Sequence, residues 1–317
     1  MSAERRGRAA PPFVPRSVAA VFPVRMLALD IDGTLVGDDL VLRERTRAAI
    51  VRAVHRGLRV SLVTGRMTAS ALTFARLLEL RDPIVGLQGA AIREMSPPGS
   101  DRAGRLLRHQ PLAAEVARRV VEWTRLAGLD PHIDDLDRLI FRADDPRVED
   151  YSAFLGTRAL KVQDLVAWTT KPVSKIVAVA EPPLPMDALA AARREFEGRA
   201  IATVAHPRFL EFVAPGVSKG QAVRWLARRH GVPLEQVLAI GDQLNDVEML
   251  SSVGHGAVMP SAPDVAIAAA RYLAPPLESE GAAEVIEALA LAPEAKARAA
   301  AATLELAASA AREARAA

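Results

Sequence analysis

Short apolar runs that end in acidic or glycine-containing turns alternate along this chain with amphipathic stretches, and the alternation predicts βα units. MLALDIDGTLV, from Met26, is the first such run and reads as a buried strand feeding a loop. A helix is expected over residues 42–56, a strand over 58–65 (LRVSLVTG), a helix over 68–80 and a strand near 83–87. This is a βαβαβ text, which predicts a parallel sheet with its ligand site at the C-terminal ends of the strands. Between about Ile92 and Arg208 the rhythm changes. LIFRA (139–143) and SKIVAVA (174–180) read as strands, 112–127 and 186–197 as amphipathic helices, with prolines and acidic turns between them. An α+β domain inserted into the first is the expectation. The βα alternation resumes from Val217, with a helix at 219–230, the strand QVLAIGD at 236–242, a helix from about Val247, and the short strands AVM and RYLA. The text after Leu291 is Ala-rich with few large apolar side chains, which predicts a frayed terminal helix.

With 317 residues, half of them apolar and a quarter charged, the chain can bury a full core and hold two modest domains. The sequence pI of about 9.6 raises the question of nucleic acid. The charge is local, however: of 41 basic and 38 acidic residues, residues 1–22 hold four arginines and Glu4, which leaves 37 of each sign in the remainder. Only 4% of residues are aromatic, so a single-strand binder with stacking rings is not expected, and no nucleic-acid partner is assigned. The basic start reads as a disordered tail; it also has the composition of a transit peptide, while Pro23 and Arg25 interrupt its apolar stretch too early for a signal-peptide core. No run of about eighteen apolar residues occurs, so neither a transmembrane helix nor a membrane partner is expected. There is no cysteine, which excludes disulfides and thiolate chemistry and fits a reducing cytoplasm.

Four local features carry chemistry. Asp30 and Asp32 close the first strand, followed by Gly33 and Thr34. In an extended segment this spacing points both carboxylates the same way, and such a pair can divide nucleophilic attack from proton transfer. The alternative is an ordinary Asp/Gly turn. Thr64-Gly65-Arg66 ends the next strand, where a hydroxyl and backbone N–H groups can cradle phosphate oxygens, or where a strand simply exits into a helix cap. GVSKG (216–220) sets Lys219 at a helix start, either as a fixed ammonium or as solvated surface. IGDQLNDVEML (240–250) is the most specific: an apolar strand ends in Asp242, with Asn245 and Asp246 following. Hard oxygen ligands on such a loop suit Mg²⁺.

In this order, with a domain-sized gap between the second and third, DIDGTL, TGR, GVSKG and GDQLND resemble the haloacid dehalogenase superfamily, and the surrounding text is similar to its Cof-type members with a C2 cap. The resemblance covers about residues 24–289 and includes FLEFVAPGVSKGQAVRWLA (209–227) and AVMPSAPDVAIAAARYLA (257–274). It implies an α/β, Rossmann-like parallel-sheet core over 23–91 and 209–290, an α+β cap over 92–208, and an Ala-rich helix over 291–317. It implies a Mg²⁺-dependent phosphatase for a small phosphate ester, monomeric or homodimeric. By resemblance Asp30 is the nucleophile and Asp32 the acid/base. By the same resemblance Asp30, Asp242, the Asp32 carbonyl and, directly or through water, Asp246 hold the metal, and Thr64, Lys219 and Asn245, with the Gly33 and Gly65 backbone, bind the phosphoryl oxygens.

Two departures bear on substrate fit: Gln88-Gly89-Ala90 stands where relatives usually have Asn-Gly-Ala, and Pro260-Ser261-Ala262 where they usually have Gly-Asn-Ala. A phosphomutase would keep every motif, and an inactive binding protein would be expected to have lost Asp30, Lys219 or Asp242. Substrate choice is assigned to the insert. His132, Asp134 and Arg138, clustered in HIDDLDR just before a predicted strand, are its candidates, with a solvated turn as the simpler reading.

Overall fold

The computed structural model describes residues 23–316 except 98, 101–103, 156, 181–183, 186 and 207. The basic tail expected over 1–22 lies outside the described residues. In chain order the elements are β1 (Met26–Leu29), α1 (Glu44–His55), β2 (Arg59–Leu62), α2 (Thr68–Leu77), β3 (Ile84–Gly86), β4 (Ala91–Arg93), β5 (Leu106–His109), α3 (Ala114–Leu126), β6 (Asp130–Asp135), β7 (Arg138–Arg142), α4 (Val148–Leu155), β8 (Ala159–Val162), α5 (Leu165–Trp168), β9 (Lys175–Val179), α6 (Ala188–Glu195), β10 (Ile201–His206) and β11 (Phe209–Val213). There follow α7 (Lys219–His230), β12 (Val237–Gly241), α8 (Val247–Ser252), β13 (His255–Val258), α9 (Asp264–Ala269), β14 (Tyr272–Leu273), α10 (Gly281–Ile286) and α11 (Glu294–Ala316).

The order β14-β13-β12-β1-β2 makes a five-stranded parallel sheet. Its strands are apolar throughout because both faces are covered. Met26 and Ala28 of β1, with Val237 and Ala239 of β12, pack on the α7–α8–α9 side. Leu27 and Leu29, with Leu238 and Ile240, pack on the side of α1, α2, α10 and α11. The two-residue period of the strands thus builds a three-layer core. Helix α7 shows how local chemistry sets the boundaries: the Ser218 hydroxyl accepts from the Gln221 N–H at 3.0 Å to cap its start, and Gly231 at φ 64° ends it.

The second sheet has six strands in the order β10-β11-β9-β6-β7-β8, antiparallel except for β7 and β8. The described residues differ from the sequence reading in four places. Strand β11, expected in the core from residue 209, pairs with β9 and β10 in the six-stranded sheet. The expected third strand of the βαβαβ unit meets the core sheet by one parallel bridge, Val63 to Val85, and then joins β4 and β5 in an antiparallel sheet. Leu87 and Gln88, both at positive φ, turn the chain there. His132 and Asp134 lie within β6 rather than in a turn before a strand, and both are buried. The tail expected to fray is a continuous 23-residue helix. Ala297, Ala301, Leu304 and Ala308 of α11 are buried, the three alanines allowing the helix a close approach. Arg315 bonds the carbonyls of Ala262 and Pro260 at 3.0 Å each. No helix among the described residues is long and apolar enough to cross a membrane.

Candidate active site

The C-terminal ends of β1, β2 and β12 bring the four motifs together. The Asp30 N–H donates to the Ile240 carbonyl at 3.0 Å, which seats the aspartate between the two central strands. The Lys219 ammonium reaches it from the first residue of α7 and lies 2.8 Å from Asp30 Oδ1 and 2.7 Å from Asp246 Oδ1. Asp246 Oδ2 in turn accepts the N–H groups of Asp242 and Gln243 at 3.1 and 3.0 Å. Asp242 Oδ1 accepts the Thr34 hydroxyl at 3.0 Å. Gly33 has φ +76°, and a Cβ there would overlap the Asp242 carboxylate, so the turn after Asp32 admits only glycine.

Asp30, Asp242 and Asp246 each place a carboxylate oxygen within 4.8 Å of the others, and all three are buried. Burial raises the pKa of Asp30 well above the usual carboxylate range; Lys219 opposes this, while Asp246 and Asp242 reinforce it. Burial and then Asp246 push Asp242 up to about 7. Burial pulls the Lys219 ammonium down, but Asp246 and Asp30 outweigh it and hold its pKa above the ordinary lysine value. Three carboxylates face one ammonium, and their donors are all hard oxygens. That excess negative charge is a fit for a small divalent cation. The side chain of Asp32 is outside this cluster.

Asp32 instead faces Arg66, whose Nε lies 2.7 Å from Oδ2 and whose Nη2 lies 2.5 Å from Oδ1. The guanidinium is buried and crosses the Phe74 ring at 5.4 Å. The two aspartates, one residue apart, therefore answer to different cations. The Thr64 hydroxyl accepts the Arg66 N–H at 3.1 Å, leaving its own proton to donate.

Polar side chains from the six-stranded sheet meet this loop cluster across a cleft of about 650 Å³, counted to its open mouth. Lys175 of β9 donates to the Gly65 carbonyl at 2.8 Å and to Glu211 of β11 at 2.8 Å. Glu211 also accepts Gln88 Nε2, and Gln88 Oε1 accepts Asn245 Nδ2 at 2.8 Å. A carboxylate can only accept when ionised, so Glu211 fixes the orientation of the Gln88 amide, and Gln88 fixes that of Asn245. The departure at residue 88 is thus a link between the two sheets. Ser261, the other departure, is exposed and outside the residues lining the cleft.

Residues 27–286 match the haloacid dehalogenase-like hydrolase family. The chain belongs to that family. This hydrolase is 32% identical over 247 residues to an HMP-PP phosphatase of Cronobacter sakazakii, covering 75% of this chain and 85% of that protein. It is 28% identical over 242 residues to a 5-amino-6-(5-phospho-D-ribitylamino)uracil phosphatase of Bacillus subtilis, covering 74% of this chain and 86% of the other. The crystal structure of a haloacid dehalogenase-like hydrolase from Bacteroides thetaiotaomicron superposes with a TM-score of 0.71 at 25% identity, over 84% of this chain and 99% of that one. The hydrolase is of the Cof type, with a Rossmann-like core and an inserted cap.

Several residues of the cleft escaped the sequence reading, and each had a signal. Arg66 stood inside TGR without a role. Lys175 and Glu211 are lone charges inside the apolar runs KIVAV and FLEFV. Arg138 is half-exposed, pairs with Asp135 at 2.7 Å and is outside the cleft lining.

His132 lines the hydrolase's cleft and is neutral. Burial first, then Lys175 and Arg147, hold its pKa down to about 3 against the usual 6.5. The unfolded chain takes up this proton near pH 6.5 and the native chain only near 3, so the stability contribution is intact above 6.5 and falls as pH drops toward 3. This one group is expected to remove about 2 kcal/mol between pH 7 and pH 5. Urea unfolding of His132→Phe at the two pH values should lose about 2 kcal/mol less over that interval than wild type; equal losses would contradict the assignment.

Proposed function

We propose that this protein hydrolyses a small phosphate monoester with Mg²⁺ through an aspartyl-phosphate on Asp30. The observation that carries the reading is the buried carboxylate cluster of Asp30, Asp242 and Asp246 around Lys219, at the ends of parallel strands. Asp30 attacks phosphorus and the bond to the leaving oxygen breaks. Asp32 gives that oxygen a proton, then takes one from the water that hydrolyses the acyl phosphate. Thr64, Lys219 and the Gly65 backbone N–H hold the phosphoryl oxygens, with Asn245 beside them; the Gly33 N–H, expected among these donors, is instead taken by the Val36 carbonyl at 2.9 Å. Lys219 favours the ionised form of Asp30 against its burial and orients the carboxylate. Asp30, Asp242 and the Asp32 carbonyl, with Asp246 behind, would hold Mg²⁺, which would supply charge neutralisation to the phosphoryl group. Asp246 has both oxygens engaged by Lys219 and two backbone N–H groups, which suits it to fixing the loop.

The test is phosphate release from a panel of monoesters with Mg²⁺, before and after exhaustive EDTA treatment, with rapid acid quench of labelled substrate. Activity should vanish with chelation and return with Mg²⁺, and a hydroxylamine-labile phosphoprotein should form. Undiminished turnover after chelation would remove the metal assignment, and absence of the phosphoprotein the covalent one.

Arg66 is assigned the task of fixing the Asp32 carboxylate through its paired bonds. Arg66→Lys keeps the charge and loses the fork, so kcat for an alkyl phosphate should fall about 10- to 100-fold. p-Nitrophenyl phosphate, whose leaving group departs without a proton, should fall several-fold less. Equal losses on both esters would show that Arg66 acts elsewhere.

A further inference from the structure

The six-stranded sheet turns one face to the catalytic cleft, and its alternation decides what that face carries. His132 and Asp134 of β6 point to it with Lys175 of β9 and Glu211 of β11, in the register Asp134 opposite Lys175 and His132 and Glu211 both opposite Val177. Tyr151 of α4 and Phe209 of β11 close its side with their rings 5.6 Å apart.

The cations of this face are spent. Lys175 is buried and gives its three N–H donors to Asp134 Oδ2 at 3.2 Å, Glu211 at 2.8 Å and the Gly65 carbonyl at 2.8 Å. Arg66 is committed to Asp32. The acceptors are not spent. Asp134 Oδ1, His132 Nδ1 and the Tyr151 hydroxyl are buried without a hydrogen-bond partner, although Asp134 and His132 are only 3% and 1% exposed. His132 Nε2 stands 3.5 Å from Asp134 Oδ1 without the geometry of a hydrogen bond. Among the residues of β6, β9 and β11 that line this face, two carboxylates against one ammonium, with a neutral histidine, leave an excess negative charge beside two aromatic rings, while Arg147 behind His132 is paired with Asp145 at 2.6 Å.

We infer that Asp134, His132 and Tyr151 form a leaving-group subsite for phosphate esters whose leaving group carries an amino or ammonium function, and that this subsite rejects leaving groups bearing a second anion. An N–H donor satisfies Asp134 Oδ1, and a protonated amine also neutralises the excess charge and lies against the aromatic faces. A hydroxyl supplies the hydrogen bond without the charge. A carboxylate or second phosphate supplies neither and meets the like charge of Asp134 and Glu211, whose ammonium partner Lys175 is already committed. The inference rests on the phosphatase reading above.

The test compares para-aminomethylphenyl, para-hydroxymethylphenyl and para-carboxyphenyl phosphate, which share one ring, with p-nitrophenyl phosphate as reference, at pH 7 with Mg²⁺. Relative to the reference, kcat/KM should rank amino above hydroxyl above carboxyl, with the ends separated by about tenfold or more, the size of one charge-assisted hydrogen bond. In Asp134→Asn the amino-to-carboxyl ratio should shrink by about tenfold, and in Tyr151→Phe severalfold. Wild-type enzyme that hydrolyses the reference but takes the carboxyl ester as well as the amino ester overturns the inference, as does an unchanged ratio in both variants. If the reference ester is not hydrolysed at all, the phosphatase reading itself fails and this inference with it.

Discussion

Asp30→Asn is expected to lower phosphate release by about 10⁴-fold or more while the protein stays folded, with a melting temperature equal to or above that of wild type. The two halves of the result have one cause. Asp30 is buried among two further carboxylates with one ammonium between them, so its negative charge opposes folding and serves the chemistry. The amide keeps the shape and an oxygen for Lys219, but has no anionic oxygen to attack phosphorus. Steady-state phosphate release and thermal melts on the same preparation check both. Turnover within tenfold of wild type from a folded variant would move the nucleophile elsewhere.

Lys219→Met should lose activity too, but here the fold suffers. The ammonium is the shared partner of Asp30 and Asp246, and removing it leaves two buried carboxylates uncompensated. Breaking a buried pair from one side costs about 3–5 kcal/mol, and that loss is expected in urea unfolding without added divalent cation. Adding Asp246→Asn to Lys219→Met should restore part of the stability and none of the activity, because one of the stranded charges is removed. A Lys219→Met protein as stable as wild type would show that the carboxylates are protonated or solvated in the native state.

The loops that meet at the cleft were legible because their patterns are local. Asp30 and Asp242 each follow an apolar strand directly and Thr64 follows β2 one residue on, so the pattern that reveals the strand also places the residue near its end. Continuous apolar runs alternating with helices were enough to expect a parallel sheet of buried strands, and β1 and β12 divide their side chains between its two covered faces. The terminal helix was misread for a related reason. A stripe of alanines has little hydrophobic signal by itself, and its value lies in how closely it lets α11 approach the core.

By itself the sequence determined the order of the motifs, the strand and helix periods, and the identity of the carboxylates, all properties of short windows whose side-chain directions follow from backbone geometry. Tertiary structure alone decided which charges meet. Asp30 and Asp32 share a motif yet separate to Lys219 and Arg66, and Gln88 joins Glu211 to Asn245 across 123 and 157 residues of chain. Alternation shows that His132 and Asp134 share a face of β6, but not that this face looks into the cleft rather than at solvent. Pairing between distant segments depends on how two sheets pack and how each buried charge finds a partner, and those are conditions on the whole fold that no window of sequence contains.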